Sequence, residues 1–492
     1  MEKIKKYIPL LILLSIILFA AYLRLYKIDQ YMTFLGDEGR DVLVVKRMIV
    51  DHKFTLLGPT ASVGGFFLGP IYYYFMLPFL WIWRLDPAGP AVMVGLFGTA
   101  TVYLVYLTGK RMFGSIAGLV AASLYAVSPL VIAYSRSSWN PNVVPFFSTL
   151  LIYLLSDTKK KFLTPLYIGI VLGIGIQLHY LFLFLFVVTA IWYWFERRAI
   201  GLTILGFLLG ASPFIAFELR HQFTNTRTIL QFLFTGKETG FSPVTYLATL
   251  NDVSSRLFSR LVFRMPGKEV WQDYPQWYIA ALLVISQIAR WIMVGSLALR
   301  PKTLLAVWVG TVLLLFGLYQ RAIYDYYFGI VFAFPFLFLG MIASWVWNKA
   351  NLRVFVVAAW VGLLLFNWQG RPFLYAPNNQ LAQVKNIART AFEKAEGQPF
   401  NFALITSGNS DHAYRYFFEI WGNPPVVIEN SEVDPARKSV TDQLIVICEQ
   451  LDCQPLGHPL WEVAGFGRAE ITGSSDVPFV KIYKLVHFKG RD

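Results

Sequence analysis

Long apolar runs separated by short polar turns occupy most of the first 369 residues. Crossing a hydrocarbon core of about 30 Å takes about 20 apolar residues in a helix, and a helix satisfies its own backbone hydrogen bonds in lipid. The pattern therefore predicts an all-α polytopic membrane domain over residues 1–369, with about 11 spans plus interfacial or re-entrant helices. The predicted spans lie near 7–26, 90–108, 115–135, 143–156, 162–179, 180–195, 200–217, 276–298, 303–320, 326–347 and 353–369.

The apolar run at 66–83, interrupted by Pro70 and Pro78, decides the orientation. Short loops that carry Lys and Arg usually stay in the cytoplasm. If 66–83 crossed the membrane, Lys110 and the lysines at 159–161 would both lie outside, so we interpret this run as re-entrant or interfacial. The first apolar run is then an uncleaved anchor with a cytoplasmic N-terminus. The predicted external segments are 27–89, 218–275 and the tail from 370. The residues predicted to lie in the cytoplasm are Lys3, Lys5, Lys6, Lys110, Arg111, Lys159, Lys160, Lys161, Arg197, Arg198, Arg300, Lys302, Lys349 and Arg353.

The last part of the chain, 370–492, has the pattern of a small soluble α/β domain. Leu381–Lys394 and Ala413–Ile420 have helical periodicity, and Phe402–Thr406 and Leu444–Cys448 have the pattern of buried strands. This domain holds both cysteines of the chain, Cys448 and Cys453. Outside the cytoplasm they could form a local disulfide, and the spacing leaves open the alternative of two free thiols.

Composition and charge agree with this division. The 492 residues are 56% hydrophobic and 15% charged, whereas a soluble domain is about 25% charged. This composition excludes an ordinary cytosolic enzyme and a disordered chain. Residues 370–492 carry 12 Lys and Arg against 14 Asp and Glu, while residues 1–369 carry 31 against 15. The positive charge is spread between apolar runs rather than clustered on a soluble face, so it does not indicate nucleic-acid binding.

Three carboxylates follow the first span at the predicted external surface: Asp37, Glu38 and Asp41. If a helix begins at Glu38, positions 37 and 41 are one turn apart on the same side. Clustered carboxylates raise one another's pKa and suit proton abstraction from a hydroxyl. The alternative is a structural role, because Asp is a good N-cap and Glu suits the first helical turn.

Further polar clusters lie at the same predicted external face. Arg136, in the turn 135–142, can hold a phosphate through paired hydrogen bonds, and its alternative role is interfacial snorkelling. His179 and Tyr180 lie between two helix ends, where a polar cluster usually faces a cavity; a satisfied core histidine is the alternative. The other candidates for a substrate cavity or a phosphate contact are Tyr73, Asn140, Arg220, His221, Tyr324 and Asp325.

The order of these motifs over residues 1–369 resembles the GT-C membrane glycosyltransferases, specifically the protein O-mannosyltransferase and aminoarabinose-transferase-like group. The acidic pair Asp37 and Glu38 is the most specific element of this dolichyl-phosphate-mannose–protein mannosyltransferase-like pattern. The further motifs are Gly69-Pro70-Ile71-Tyr72-Tyr73-Tyr74, Lys110-Arg111-Met112-Phe113-Gly114, Ser128-Pro129, Tyr134-Ser135-Arg136 and Tyr324-Asp325-Tyr326-Tyr327-Phe328.

The resemblance implies a multi-pass plasma-membrane enzyme of the cell envelope that moves a sugar from a polyprenyl phosphate to a hydroxyl on the external face. Asp37 would be the general base and the configuration would invert. Arg136, with Arg220 and His221 as weaker candidates, would stabilise the phosphate charge. The acceptor is left open as a glycan, a lipid or a protein. The resemblance assigns no metal ligands, and the three acidic residues after the first span leave a divalent ion open.

Two departures from the family pattern concern the donor phosphate. No charged residue stands in the run 65–70 before the aromatic stretch, and the run 139–142 replaces an acidic residue that often follows the Ser-Arg turn. Two rival functions remain at this level: a transporter or flippase of lipid-linked sugars, and a lipid-linked glycan ligase. Transporters favour repeated halves and helices broken at the midplane, and the sequence shows neither clearly.

Overall fold

The computed structural model describes residues 2–61, 64–157, 159, 161–196, 200–234, 240–264, 300–450 and 452–490. The chain separates into two compact units. The first comprises residues 1–28, 55–75 and 91–376, and the second comprises 29–54, 76–90 and 377–492. Residues 29–54 and 76–90, which the sequence assigns to an external loop of the membrane domain, therefore cluster with the tail.

Most of the described residues are helical. In chain order the α-helices are α1 (Glu2–Leu25), α2 (Ile28–Tyr31), α3 (Gly36–Val50), α4 (Ile71–Ile82), α5 (Ala88–Phe113), α6 (Ser115–Val127), α7 (Pro129–Tyr134), α8 (Val144–Leu155), α9 (Thr164–Leu178), α10 (Leu183–Glu196), α11 (Gly201–Gly210), α12 (Ser212–Arg220), α13 (Thr224–Phe234), α14 (Pro243–Ser259), α15 (Arg300–Phe316), α16 (Phe334–Trp347), α17 (Arg353–Trp368), α18 (Gln380–Lys394), α19 (His412–Ile420) and α20 (Trp461–Phe466). Short 3₁₀ helices cover Asn140–Val143, Tyr180–Phe182, Asp325–Ile330, Ala350–Leu352 and Pro372–Leu374.

Two described helices are long and apolar enough to cross a membrane, Ala88–Phe113 and Ala350–Trp368. The pair α11 and α12 would be a third if it counts as one span bent by 76°. Several predicted spans are instead shorter apolar helices. The predicted span near 276–298 lies outside the described residues, as do Lys160, Arg197 and Arg198.

The predicted span at 115–135 shows why helices are shorter than the apolar runs. It is divided into α6 and α7 at Ser128, whose φ and ψ are −61° and 118°. Pro129 disfavours helical backbone at the residue before it, and a proline fits the first turn of the next helix. Apolar composition continues through this break, so hydropathy alone does not detect it.

Within the first unit, a buried arginine ties the first helix to α6. Arg24 has no exposed surface, and its Nη1 donates to the carbonyl oxygens of Ala20 and Ala126 at 3.2 and 3.0 Å. A buried charge is retained only where polar partners offset its desolvation. The bond to Ala20 lies within α1, and the bond to Ala126 holds α1 against the end of α6.

The second unit contains a four-stranded sheet in the order β1-β2-β4-β3, formed by β1 (Asn401–Ile405), β2 (Gln443–Cys448), β3 (Ala469–Val477) and β4 (Val480–His487). β1 and β2 are parallel, and the remaining pairs are antiparallel. Every residue of β1 and β2 is buried. One face packs on a core that includes Val463 and Phe466 of α20.

The predicted α/β tail is confirmed, since both predicted helices and both predicted strands lie within one residue of their observed bounds. The sequence analysis did not predict the hairpin of β3 and β4. β3 reads AEITGSSDV and has few apolar positions, so its hydrophobic alternation is weak. Cys448 and Cys453 form a disulfide, which decides between the two alternatives left open by the sequence.

Candidate functional site

The acidic segment of the second unit forms the start of α3. The helix begins at Gly36, two residues before the predicted start. The backbone N–H of Leu35 donates to Oε2 of Glu38 at 3.0 Å, which satisfies one of the donors that a helix N-terminus leaves unpaired. Glu38 therefore has the structural role in the first turn that the sequence analysis gave as its alternative. The N-cap is Leu35, so the alternative of Asp37 as the N-cap is wrong.

Arg40 lies between the other two carboxylates of this segment. Its Nη1 lies 2.9 Å from Oδ1 of Asp37, and its Nη2 lies 2.9 Å from Oδ1 of Asp41. The Asp37 side chain is 54% exposed, whereas the Asp41 side chain is fully buried. Positions 37 and 41 thus share one side of the helix, as a turn of separation requires. Only Asp37 presents its carboxylate to an incoming molecule.

The third carboxyl group of the segment, that of Glu38, has a raised pKa. Burial raises the pKa of Glu38 from 4.5 to about 7, because removal from water disfavours the charged form. The hydrogen bond from Leu35 lowers this pKa, and the nearby Asp41 and Asp37 raise it by smaller amounts than burial does. The sequence analysis attributed raised pKa values to clustered carboxylates, whereas burial is the larger cause here.

The segment packs on α19 of the tail. Phe34 makes edge contacts with Phe417 and Tyr416, at centroid distances of 5.9 and 6.4 Å. At the other end of α3, Lys46 and Arg47 both pair with Glu419. Aromatic packing and ion pairs at opposite ends therefore hold α3 to the tail, and the acidic residues lie at the end held by the aromatic contacts.

Arg136, in the first unit, is 2% exposed. Its guanidinium donates to the carbonyl oxygens of Leu23, Tyr26 and Lys27 at 2.8–3.2 Å. The last carbonyls of a helix have no partners within the helix, and a cation there is stabilised by the helix dipole. Arg136 therefore caps the end of α1, and its contact with a donor phosphate stays a prediction.

The turns predicted to carry the substrate cavity meet in the first unit through aromatic rings. His179 stacks on Tyr180 at a centroid distance of 4.7 Å and lies 6.0 Å from Tyr326, and Tyr326 contacts Trp139 at 4.5 Å. Asn140 donates to the carbonyl oxygen of Leu178 at 2.7 Å. The turns 135–142, 177–180 and 320–328, far apart in the sequence, thus form one cluster.

Asp325 lies beside this cluster and is neutralised by two arginines of α14 and its end. Arg256 pairs with one carboxylate oxygen, and Arg260 contacts the other at 2.7 Å. Arg256 also pairs with Asp252 and lies over the ring of Phe328. The sequence analysis placed both arginines in the long external segment, 218–275, but it did not pair them with Asp325. The pairing links α14 to the turn 320–328.

The remaining predicted residues have different surroundings. Arg220 and His221 are exposed at the end of α12, and the His221 ring stacks on Phe217 at 4.1 Å. Tyr324 is 57% exposed and stacks on Tyr326, whereas Tyr73 is only 2% exposed.

No group of three or more His, Cys, Asp or Glu side chains within the described ranges is arranged to hold a metal ion.

One polar cluster of the second unit was missed by the sequence analysis. Glu449 follows β2 and accepts hydrogen bonds from Thr406, Asn409 and Tyr414. The signal was present, because ligands and functional groups in α/β sheets gather at the carboxyl ends of parallel strands. Thr406 and Glu449 directly follow the two observed parallel strands, β1 and β2.

Comparison with known proteins supports the resemblance. Residues 70–217 match the family model described as dolichyl-phosphate-mannose-protein mannosyltransferase. This segment is under a third of the chain and includes most of the motifs that carried the resemblance, although Asp37 and Glu38 precede it. No sequence among the curated proteins matches the chain.

The fold extends the likeness over nearly the whole chain. The structure of ArnT from Cupriavidus metallidurans bound to undecaprenyl phosphate aligns with a TM-score of 0.63 at 11% identity, covering 96% of this chain and 97% of that one. The resemblance to the GT-C membrane glycosyltransferases is confirmed. The oligosaccharyltransferase from Archaeoglobus fulgidus in complex with Zn and sulfate aligns with a TM-score of 0.50 at 13% identity, covering 88% of this chain and 67% of that one. At these identities the likeness establishes the GT-C fold.

Proposed function

We propose that this protein is an integral-membrane glycosyltransferase that moves a sugar from a polyprenyl-phosphate donor to an acceptor hydroxyl on the external face of the membrane. The observation that carries the proposal is the combination of the mannosyltransferase family match with a fold shared over 96% of the chain with a protein solved with undecaprenyl phosphate. The exposed Asp37 carboxylate supplies the chemical group that such a transfer requires.

Asp37 is the proposed general base. Its carboxylate accepts the proton of the acceptor hydroxyl as that oxygen attacks the anomeric carbon. The bond from the anomeric carbon to the phosphate oxygen breaks on the opposite face, so the configuration inverts and polyprenyl phosphate leaves as an anion. Arg40 pairs with Asp37 at 2.9 Å and holds its carboxylate in place. Glu38 is a poorer base because it is buried and bound to its own helix terminus.

The departing phosphate needs positive charge or hydrogen-bond donors near it. Arg220 and His221 are exposed, which favours them as donor-phosphate ligands. Arg136 donates to three backbone carbonyls, and a phosphate would have to compete with those bonds. We therefore rank Arg220 and His221 ahead of Arg136, which reverses the order inferred from the sequence. The aromatic cluster around His179 and Tyr180 is the proposed wall of the substrate cavity.

The proposed topology has about 11 spans, a cytoplasmic N-terminus and an extracytoplasmic tail in the plasma membrane. It rests on the distribution of basic residues between apolar runs. The disulfide between Cys448 and Cys453 supports an oxidising environment for the tail.

Transfer by purified protein in lipid vesicles tests the function. Radiolabelled polyprenyl-phosphate sugars are mixed with an acceptor-containing extract, and labelled product is separated from the donor. We expect wild-type transfer and a loss of about 100-fold or more in Asp37→Asn, since general bases contribute about 10²–10⁴ to the rate. Asp29→Asn, which removes another carboxylate of the same unit, is the matched control and should stay active.

The same vesicles distinguish the rival functions. Movement of the lipid-linked sugar between leaflets without product, equal in wild type and Asp37→Asn, would contradict the proposal and favour a flippase. Transfer only from donors that carry an assembled glycan, and not from single sugars, would favour a lipid-linked glycan ligase.

A further inference from the structure

The first turn of α3 rests on a loop of the tail that a hydrogen-bond network holds in place. The backbone N–H of Gly36 donates to Oδ1 of Asn409 at 3.1 Å, and the same oxygen accepts from the N–H of Ser410 at 2.9 Å. Gly36 precedes Asp37, so this bond acts on the peptide unit directly before the proposed base. The two partners are 373 residues apart in the sequence.

The amide of Asn409 has its orientation imposed by Glu449. Its Nδ2 lies 3.1 Å from Oε1 and 3.4 Å from Oε2 of that carboxylate. An ionised carboxylate only accepts hydrogen bonds, so the NH₂ group of Asn409 must face Glu449 and its oxygen must face Gly36. An amide is the side chain that satisfies both sides at this position.

Glu449 is itself held firmly. Tyr414 donates to its Oε1 at 2.7 Å and Thr406 donates to its Oε2 at 2.8 Å. Cys448 precedes it in the chain, and the disulfide to Cys453 closes the short loop that contains it. The network therefore has one end anchored in the sheet and the other end at the backbone of Gly36.

The first turn of α3 and the loop that holds Asn409 are packed closely against each other at Gly36. A Cβ at position 36 would lie 2.0 Å from Oγ of Ser410 and 2.9 Å from its backbone nitrogen. The loop 406–411 and the first turn of α3 are thus in direct contact, and the loop sets where the helix starts. The charged side chains near the contact that interact electrostatically with His412 are Asp411, Arg40, Arg415 and Asp37.

We propose that Asn409, oriented by Glu449, is a positioning residue that sets the backbone of Gly36 and thereby the direction of the Asp37 carboxylate. This inference rests on the proposed function, because it assigns the tail a role in catalysis through the proposed base. Displacement of a reacting group by about 1 Å can cost about 100-fold in rate, so the network needs only a small effect on geometry to matter.

The test exchanges the two ends of the hydrogen bond. Asn409→Asp places two carboxylates against each other and removes the donor. Glu449→Gln keeps an oxygen that can accept from Nδ2 of Asn409. In the double variant, the amide introduced at position 449 donates to the carboxylate introduced at position 409, so a donor again faces an acceptor. The new carboxylate at position 409 still accepts from Gly36, and the net charge is conserved. Asn386→Asp, on the exposed face of α18, makes the same chemical change elsewhere in the unit as a control.

Two readouts are measured on the full-length protein in lipid. We expect kcat for transfer from a polyprenyl-phosphate sugar to fall about 10- to 100-fold in Asn409→Asp, with the donor KM unchanged within about twofold. We expect Glu449→Gln and the double variant to stay within about threefold of wild type. Hydrogen exchange of the peptide containing residues 35–38 should be faster in Asn409→Asp and return towards wild type in the double variant.

Wild-type kcat and wild-type exchange at 35–38 in Asn409→Asp would overturn the inference, as would a double variant no better than Asn409→Asp. If the wild type transfers no sugar from any lipid-linked donor, the proposed function is wrong. The exchange pattern then decides by itself whether Asn409 holds Gly36. A melting temperature measured for every variant identifies those that lose activity by unfolding, and recovery in the double variant remains decisive for them.

Discussion

Three carboxylates within about one helical turn have three different environments. Asp37 is half exposed and paired with Arg40, Asp41 is fully buried beside the same arginine, and Glu38 is buried at the helix terminus. Carboxyl groups in different environments can have different pKa values, and therefore different charges and roles at the same pH. Asp37 is therefore the member suited to accept a proton from substrate, while the other two shape and charge the segment around it.

The raised pKa of Glu38 predicts a stability that depends on pH. Burial raises this pKa to about 7 in the folded protein, from 4.5. Between these values the folded state binds the proton more tightly than the unfolded state, so the stabilisation is complete below about pH 4.5 and is lost as the pH rises through 7. The whole contribution is about 3 kcal/mol.

Thermal unfolding in detergent between pH 5 and 8 measures this effect. Glu38→Gln keeps an oxygen that can accept from the Leu35 N–H but cannot ionise. We expect the melting temperature of wild type to fall relative to that of Glu38→Gln as the pH rises. Parallel pH profiles for the two proteins would show that Glu38 does not titrate in this range.

At the scale of elements, α3 and α19 approach each other through backbone. A Cβ at Gly39 would lie 2.3 Å from the backbone nitrogen of Ala413 and 2.4 Å from its Cα. Backbone atoms cannot rotate away as a side chain can, so the helices would have to separate. The docking of α3 on the tail therefore requires glycine here, whatever the chemistry at Asp37 needs.

Gly39→Ala is expected to destabilise the second unit by about 1–3 kcal/mol, the usual cost of overpacking. A lower melting temperature, together with lower transfer activity, is the expected result. Gly362→Ala in α17 is the control, because its added Cβ meets no atom within 4 Å and alanine is the better helix former. Equal melting temperatures for Gly39→Ala and wild type would contradict the close approach of the two helices.

At the scale of the molecule, the tail and the acidic segment belong to one compact unit. Removal of residues 380–492 would therefore expose the surface of α3 that packs on α19. We expect this deletion to abolish transfer in the vesicle assay, because it disturbs the segment that carries Asp37.

The orientation of the whole chain is tested by labelling single cysteines. The two native cysteines are joined in a disulfide, so an engineered cysteine supplies the reactive thiol. We expect Ala376→Cys, at an exposed position, to react with an impermeant maleimide in intact cells, since the proposed topology places the tail outside the cytoplasm. Lys159→Cys, in a predicted cytoplasmic loop, should react only after permeabilisation. The reverse pattern would overturn the proposed topology.

The sequence alone predicted the mostly helical fold, the α/β tail, the acidic segment and the GT-C resemblance. The first three depend on patterns within short windows, such as apolar runs or alternation within a strand, and the resemblance depends on the order of short motifs. The sequence analysis did not predict the break at Ser128, because it lies inside a continuous apolar run. It did not predict the hairpin of β3 and β4 either, because β3 has few apolar positions.

Only the tertiary structure decided which groups meet. It placed the acidic segment on α19, directed Arg136 to the backbone of α1, paired Asp325 with Arg256 and Arg260, and joined Cys448 to Cys453. The partners in the first three cases are separated by at least 65 residues. Such contacts depend on how the helices and strands pack, so they cannot be predicted from the pattern of neighbouring residues. The physical reason is that a charged side chain takes whichever partner the fold brings within hydrogen-bond distance.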